Sequence, residues 1–203
     1  RSSDLPFGFG RDAAALCKMV LSVDGWTTIN VGDALLQTMP AALAVATGRR
    51  VKQYGDLYNV IVQTGQKFVH PAVRLLTSHD HESLSTADRP VAPQNRKLVP
   101  LILNEGLCAA AVVDGRIVSR AYAYAVTPMH ADLSVATLPS HRNQGLVTAC
   151  ASLLIEELKL HKLTPVWSTG QDNAASQRIA EKLGFVPTAA RAYLSLESGA
   201  GRR

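Results

Sequence analysis

The pattern of apolar and polar positions changes near residue 72. Before it, apolar residues at helical spacing predict helices over Arg11–Leu21 and Asp33–Thr47, the second interrupted or begun afresh at Pro40. A short apolar run, Trp26–Val31, predicts a strand between them, whereas Tyr54–Phe68 fits neither period clearly. Residues 1–71 are therefore expected to form a mainly helical N-terminal extension.

From residue 72 onward, short apolar runs alternate with turn residues. The first run predicts a strand over Val73–Leu76, with a short helix beginning at His81. Three further runs, each ended by turn residues, are expected to form antiparallel strands: Gly106–Val113, Ile117–Val126 and Ala131–Thr137. The Asp114-Gly115 pair between the first two is a strong signal for a tight hairpin.

The rest of the chain alternates between helical and strand patterns. It predicts a long helix over Gln144–His161, a strand over Pro165–Ser168, a helix over Asn173–Leu183 ended by Gly184, and one or two strands between Phe185 and Glu197. An antiparallel meander followed by crossover helices is typical of an α/β layered domain with a mixed sheet. We expect this domain over residues 72–197, followed by a flexible tail over residues 198–203.

The composition narrows the class of protein. Of 203 residues, 47% are apolar and 18% are charged, which excludes intrinsic disorder for most of the chain. No uncharged apolar run reaches the roughly 18–20 residues of a bilayer span, so neither a transmembrane helix nor a membrane partner is expected. Cys17, Cys108 and Cys150 are too widely spaced for a metal site, so we expect buried thiols in the reducing cytoplasm and no metal.

The net charge of +5 comes from 21 basic and 16 acidic residues. No long basic run contains interleaved aromatic residues, which disfavours a nucleic-acid partner. The excess fits either a solvated face or a mild attraction for an anionic small molecule.

One segment carries a pattern with chemical meaning. A strand ends at Thr137, and Arg142 and Gly145 follow just where the long helix begins. The first turn of a helix leaves N–H groups unpaired and carries partial positive charge, and a glycine allows close approach, so a phosphate or pyrophosphate could bind there. A plain strand-to-helix turn with a surface arginine fits these residues equally well. Neither a Walker loop nor a complete dinucleotide-binding glycine pattern occurs.

Two blocks of the sequence resemble the GNAT superfamily of N-acetyltransferases. The run Arg142-Asn143-Gln144-Gly145-Leu146-Val147 is similar to its Arg/Gln-x-x-Gly-x-Gly/Ala signature, with Val147 at the position of the last small residue. About 30 residues later, Asn173–Ser176 and Ala180–Phe185 are similar to its Asn-x-x-Ala/Ser and Glu-Lys-Leu-Gly-Phe block. The resemblance covers residues 72–197, is strongest over 114–185, and leaves residues 1–71 without a match.

A bacterial subgroup of that superfamily is similar at two further places. Its Glu-Ile-x-Ile-x-Thr segment resembles Asp132–Thr137, and its Leu-x-Pro-x-Trp segment resembles Leu163–Trp167. The superfamily fold is a mixed, mostly antiparallel sheet flanked by helices. In it, the strand that ends at Thr137 diverges from the next parallel strand.

The resemblance implies direct transfer of an acyl group from acetyl-CoA to an amine. Val135 and Thr137 would contact the pantetheine arm in the gap between the diverging strands. The pyrophosphate would lie against the arginine loop and helix start, formed by Arg142, Asn143, Gln144, Gly145, Leu146 and Val147. Asn173 and Ser176 would reach the coenzyme from the next helix.

The candidate catalytic residues also follow from the resemblance. Asp132 occupies the position of the subgroup's Glu, where a carboxylate would take the proton of the acceptor amine. His130 lies two residues away, on the same strand face, and could assist or replace it. An exposed strand-start aspartate and a surface histidine are the structural alternatives. The superfamily's proton-donating tyrosine is replaced by Ala180, which leaves Tyr193, Tyr122, Tyr124 or water to protonate the thiolate.

We therefore expect a cytoplasmic GNAT-type N-acetyltransferase whose acceptor is a small-molecule amine or a protein amine. A non-catalytic acyl-CoA-binding sensor or regulatory module on the same fold is the alternative, since Ala180 cannot donate a proton. The acceptor and the oligomeric state stay open at this point.

Overall fold

The computed structural model describes residues 7–8, 12–23, 28–61, 65–85, 87 and 97–197. By its contacts the chain divides into two units. Unit 1 comprises Arg1–Tyr58, Thr169–Asn173 and Ala189–Arg203, and unit 2 comprises Asn59–Ser168 and Ala174–Thr188. This division does not follow the expected boundary after residue 71, because an N-terminal strand pairs with the last strand of the chain.

The helices and strands are given in chain order. The first part contains β1 (Phe7–Gly8), α1 (Ala13–Leu21), β2 (Thr28–Val31), α2 (Met39–Thr47), β3 (Val51–Ile61), β4 (Val73–Leu75), α3 (His81–Ser85) and α4 (Val99–Asn104). The second part contains β5 (Cys108–Val113), β6 (Arg116–Val126), β7 (His130–Thr137), α5 (Leu146–Leu160), β8 (Thr164–Gly170), α6 (Ala174–Lys182) and β9 (Phe185–Leu196).

In unit 1, two helices pack on a short sheet. β1 runs parallel to β2, and β2 runs antiparallel to the end of β9. Apolar residues of α1 and α2, such as Leu16, Val20 and Leu43, form one buried cluster with Ile29 and Leu194 of the strands. Among the basic residues before position 53, the Arg49 guanidinium donates to the carbonyl oxygens of Leu196 and Glu197, so it anchors the end of β9.

The expectation of a mainly helical extension is wrong for its last third. Both helices form, with Pro40 in the first turn of α2, but β3 occupies eleven residues where the sequence pattern was ambiguous. Only Asn59 is buried along β3. A strand without a regularly alternating apolar face has no period-2 signal, so its pattern could not reveal it.

Unit 2 contains the expected antiparallel meander. Its strands lie in the order β8-β7-β6-β5-β4, with antiparallel neighbours from β4 to β7 and a parallel β7–β8 pair. Asp114 and Gly115 both have positive φ, at 49° and 75°, as the two-residue hairpin between β5 and β6 requires. The mixed, mostly antiparallel sheet with flanking helices confirms the expected fold class.

Helix α5 is buried on more than one side. Helical spacing puts Thr148 and Ser152 opposite the apolar residues of this helix, yet they are only 8% and 5% exposed. The Ser152 hydroxyl accepts a hydrogen bond from the Phe68 N–H, with an N–O distance of 3.0 Å. A chain segment thus covers the helix face that is turned away from the sheet. Helix α4, six residues long, was too short to show helical periodicity.

The three cysteines, the apolarity of the helices and the residues outside the described ranges complete the comparison with the sequence predictions. All three cysteines are buried and unpaired, and burial raises the pKa of Cys108 and Cys150 to about 12, so both are unreactive thiols. Within the described ranges, no helix has both the length and the apolarity to cross a bilayer. The tail over residues 198–203 and the start of the Trp26–Val31 strand lie outside the described residues.

Candidate active site

The parallel pair β7 and β8 separates partway along its length. His130, Ala131 and Asp132 pair with Thr164, Pro165 and Val166, and the pairing ends there. On its other edge β7 remains paired with β6 as far as Thr137. The end of β7 therefore stays in the sheet through β6 while it leaves β8, and a gap opens between the two parallel strands.

The main chain of β7 exposes hydrogen-bonding groups to this gap. The His130 carbonyl accepts from Thr127, and the Leu138 N–H donates to Val118, so the even-numbered residues of β7 face β6. Because main-chain groups alternate between the two edges of a strand, the odd-numbered residues face the gap. Val135 and Thr137, the two positions expected to contact pantetheine, are both odd-numbered and lie beyond the last β8 pair.

The loop after β7 leads directly into α5. A short 3-10 turn at Pro139–His141 is followed by Arg142 and then by Asn143 and Gly145, whose φ angles are 61° and 74°. Residues 142–145 are exposed, and a Cβ added at Gly145 would meet nothing within 4 Å. The space in front of Gly145 is thus open to a ligand, and the positive φ favours glycine there.

The start of α5 carries unused hydrogen-bond donors. Its cap residue, Gly145, makes no side-chain cap bond. The Gly145 carbonyl accepts from the Ala149 N–H, so the N–H groups of Leu146, Val147 and Thr148 precede the first helical bond. These donors and the helix dipole make the end of α5 positive, and Arg142 adds a full charge nearby. The arrangement suits a phosphate or pyrophosphate.

Asp132 lies where β7 and β8 separate, and hydrogen-bond donors on both neighbouring strands reach its carboxylate. The Tyr124 hydroxyl donates to Oδ2 at 2.8 Å, and the Ser168 hydroxyl donates to the same oxygen. The Ser168 main-chain N–H donates to Oδ1, with an N–O distance of 3.2 Å. Asp132 is therefore a fixed, half-buried carboxylate, which excludes the alternative of an exposed aspartate at a strand start.

Burial and hydrogen bonding act in opposite directions on this carboxylate. Burial raises the pKa of Asp132 because it disfavours the charged form, and hydrogen bonds from Ser168 and Tyr124 lower it without cancelling the effect. The net result is a raised pKa. A carboxylate with a raised pKa is a better proton acceptor than an ordinary surface aspartate.

A β-bulge brings Tyr124 to Asp132. Ala123 of β6 pairs with Leu133 and Ala125 pairs with Asp132, so Tyr124 is an extra residue on its strand. Bulges of this kind redirect side chains and often lie beside active sites. The sequence suggested Tyr124 only as one of several proton donors, and nothing in it revealed the bulge.

The other two candidate tyrosines and Ala180 are buried. Tyr122 is 1% exposed, and the Arg120 guanidinium lies 5.6 Å from its ring centre, so it belongs to the core and is not available as a proton donor. Ala180 is 2% exposed in α6.

Ser168, which the sequence pattern only placed in a strand, is the site residue that sequence reasoning missed.

Two more expected site residues lie in unit 2. His130 is exposed at the start of β7 and lies two residues before Asp132, on the same face of the strand. Ser176, in the first turn of α6, accepts a hydrogen bond from the indole N–H of Trp167 at 3.0 Å. Its hydroxyl therefore anchors α6 to β8.

Asn173 and Tyr193 belong to unit 1. The Tyr193 hydroxyl hydrogen-bonds with that of Tyr58, and its ring stacks on Tyr54 with 5.4 Å between ring centres. Burial and the neighbouring Tyr58 raise the pKa of Tyr193. Asn173 is exposed, and its N–H donates to the Gly170 carbonyl.

Comparisons with known proteins agree with the fold and the loop. Residues 102–193 match the family model described as GNAT acetyltransferase, a range that includes all the candidate site residues above. No curated protein sequence matches the chain.

Several solved structures share the fold. A GCN5-related N-acetyltransferase-like protein from Streptococcus suis is 19% identical with a TM-score of 0.70, over 97% of this chain and 81% of that one. A putative GNAT acetyltransferase from Novosphingobium aromaticivorans is also 19% identical, with a TM-score of 0.63 over 97% and 86% of the two chains. A GCN5-related N-acetyltransferase from Kribbella flavida is 18% identical, with a TM-score of 0.60 over 93% and 77%.

Proposed function

We propose that the chain, whose residues 102–193 match the GNAT acetyltransferase family model, is an acyltransferase that transfers the acetyl group of acetyl-CoA to an amine. The observation that carries the proposal is the gap between β7 and β8, which ends at the open start of α5. An elongated ligand with an amide-rich arm and a diphosphate fits the gap-facing main-chain groups of β7 followed by the hydrogen-bond donors at the start of α5.

The described residues fit such a ligand along its length. The outward N–H and C=O groups of Val135 and Thr137 would pair with the amides of the pantetheine arm, as a neighbouring strand would. The donors over Asn143–Val147 and the Arg142 side chain would hold the diphosphate, and Asn173 and Ser176 of the next helix region are proposed further contacts. When bound, acetyl-CoA supplies the thioester-activated acetyl group.

The chain's own part in the reaction is to move protons. A protonated amine has no lone pair, so it must lose a proton before it can attack. The Asp132 carboxylate, with its raised pKa, would accept that proton directly or through water, and exposed His130 is the second candidate. Tyr193 is the proposed donor to the leaving thiolate, although burial and Tyr58 raise its pKa and so make its phenol a weaker acid than a free tyrosine.

A pair of variants tests the gap itself. Val135→Pro removes the N–H that faces the gap but no N–H of the β6 ladder, whereas Val135→Ala removes only the side chain. We expect Val135→Pro to raise the Kd for acetyl-CoA roughly fivefold to tenfold, as loss of one hydrogen bond does, with Val135→Ala near wild type. Isothermal calorimetry measures both. Equal affinity of the three proteins would contradict the binding mode.

Turnover distinguishes the enzyme from the binding module. Thiol release from acetyl-CoA would be measured over a panel of small amines and of peptides with a free N-terminus or lysine. Release that depends on the amine supports a transferase. Binding without release from any acceptor favours an acyl-CoA sensor, an outcome that fits Ala180, and the absence of binding rejects both functions.

A further inference from the structure

At the end of the β7–β8 ladder, a side chain occupies the place of a main-chain hydrogen-bond acceptor. In a parallel ladder every second residue of a strand bonds to the two residues that flank its partner. Continuing the register beyond Asp132 and Val166 would therefore pair the Ser168 N–H with the Leu133 carbonyl. The Ser168 N–H instead donates to Oδ1 of Asp132. A side-chain carboxylate thus takes the place of the next main-chain acceptor, at the position where the strands separate.

We propose that Ser168 is a positioning residue, which holds the Asp132 carboxylate through its main-chain N–H and its hydroxyl and so fixes that carboxylate at the mouth of the gap. This role rests on the proposed function, in which Asp132 accepts the proton of the amine. Both oxygens of the carboxylate are engaged by Ser168, Oδ1 by the N–H and Oδ2 by the hydroxyl. Two bonds from one residue define the plane of the carboxylate as well as its position.

Few other groups act on this carboxylate. From β6, the Tyr124 hydroxyl donates to Oδ2. On β7 itself, the Leu133 main chain hydrogen-bonds to the carboxylate and His130 lies on the same face. The pKa of Asp132 is set by burial and by hydrogen bonds, with no contribution from a charged side chain of the described residues. Ser168 is therefore a principal donor that lowers the pKa of Asp132 against the effect of burial.

The direct test is the titration of Asp132 in the free protein, followed by NMR of carboxyl-labelled aspartate. Ser168→Ala removes the hydroxyl donor and leaves the N–H, so the pKa of Asp132 should rise by about one, as loss of one bond to a charged group predicts. Ser168→Thr keeps the hydroxyl and should restore the wild-type value. Thr164→Ala, on the exposed start of the same strand, is the matched control and should change nothing.

A second substitution keeps the test possible if the Ser168→Ala protein does not fold. Ser168→Cys keeps nearly the same volume but offers only a weak donor, so it should also raise the pKa of Asp132. A folded Ser168→Ala or Ser168→Cys protein with the wild-type pKa at Asp132 overturns the proposal. Because this titration needs no substrate, it stands even if acetyl-CoA proves not to be the donor.

Kinetics provide the second readout. If Asp132 is the base, the acidic limb of the kcat/KM profile should move to higher pH in Ser168→Ala by the same amount as the titration, because a base must be deprotonated to act. If the pKa of Asp132 rises in Ser168→Ala while the acidic limb of the kcat/KM profile stays fixed, Ser168 positions Asp132 but Asp132 is not the base. That result would overturn the catalytic part of the proposal and leave the transferase assignment intact.

Discussion

Asp132 combines a raised pKa with a fixed orientation. Its burial raises the pKa, which suits proton transfer, while donors on β6 and β8 keep it in one orientation. The same side chain accepts the Ser168 N–H at the position where the β7–β8 ladder ends. Its effects on catalysis and on the shape of the gap can be separated by choosing what replaces the carboxylate.

Asp132→Asn and Asp132→Ala are expected to differ. The amide keeps an oxygen that can accept from the Ser168 N–H but cannot act as a base, so kcat should fall by about 10²–10⁴ while acetyl-CoA binds almost normally. Alanine removes the acceptor too, which frees Ser168 to pair with Leu133, and acetyl-CoA affinity should fall as well. Steady-state kinetics and calorimetry on both variants measure this. Equal binding losses would contradict a separate role in shaping the gap.

At the scale of single elements, α5 does more than present its N-terminus. The helix contacts the sheet on one side and the segment around Phe68 on the other, so it is fixed from two directions. A helix start that moved by a turn would lose its alignment with the end of β7. The packing of the middle of α5 therefore supports the position of the loop over residues 142–145.

Ser152→Ala tests the second contact. The substitution leaves the Phe68 N–H without its acceptor in a partly buried position, which costs about 1–3 kcal/mol of unfolding free energy. Urea unfolding followed by circular dichroism measures the loss. Ser85→Ala, at the exposed end of α3, is the control and should stay within about 0.5 kcal/mol of wild type. An unchanged Ser152→Ala protein would mean that water replaces the lost acceptor.

The elements differ in how much their local sequence reveals. Asp114-Gly115, Gly145 and Gly184 mark their turns because positive φ strongly selects glycine and its usual partners, and all three adopt it. Apart from the short helix α4, the order of strands and helices from β4 to β9 follows from such markers and from apolar periodicity. Strand β3 does not, since its faces lack an alternating pattern.

The geometry around Asp132 was beyond the reach of the sequence for a different reason. The bulge at Tyr124 depends on the register between β6 and β7, and the Ser168 contact depends on where β8 leaves β7. Register is a property of paired strands and is not encoded in the period of either one. The resemblance to a family indicated Asp132 itself, whereas its hydrogen-bond partners are determined by how the strands pair.

For the whole molecule, stability at acid pH depends on carboxyl groups whose pKa values move in opposite directions. The Arg74 guanidinium lowers the pKa of Asp80 to about 2 through a bidentate contact at 2.6 and 2.8 Å. Burial raises the pKa of Asp132. The ionised form of Asp80 stabilises the fold, whereas the ionised form of Asp132 opposes it.

Asp80 and Asp132 affect the free energy of unfolding over different ranges of pH. An acid with a lowered pKa contributes stability that is complete above its unfolded value and is lost as pH falls through the folded one, so the Asp80 contribution disappears between about pH 4 and pH 2. The raised pKa of Asp132 acts the other way, since stability falls as pH rises from the unfolded value of 3.8 through its folded value. The net slope below pH 4 is therefore expected to come mainly from Asp80.

Asp80→Asn should remove that slope. At neutral pH we expect a loss of about 1–2 kcal/mol of unfolding free energy, reduced from the full effect of the pKa change because Arg74 is half exposed. At pH 2 most of this difference should be gone, since about half of the wild-type carboxyl groups are then protonated in the folded state and nearly all are in the unfolded state. Urea unfolding at pH 7, 4, 3 and 2, with Asp114→Asn in the exposed hairpin as control, measures the difference. A gap between variant and wild type that stays constant down to pH 2 would show that Asp80 acts through its neutral hydrogen bonds to Thr77, because only the charge-dependent contact with Arg74 weakens on protonation.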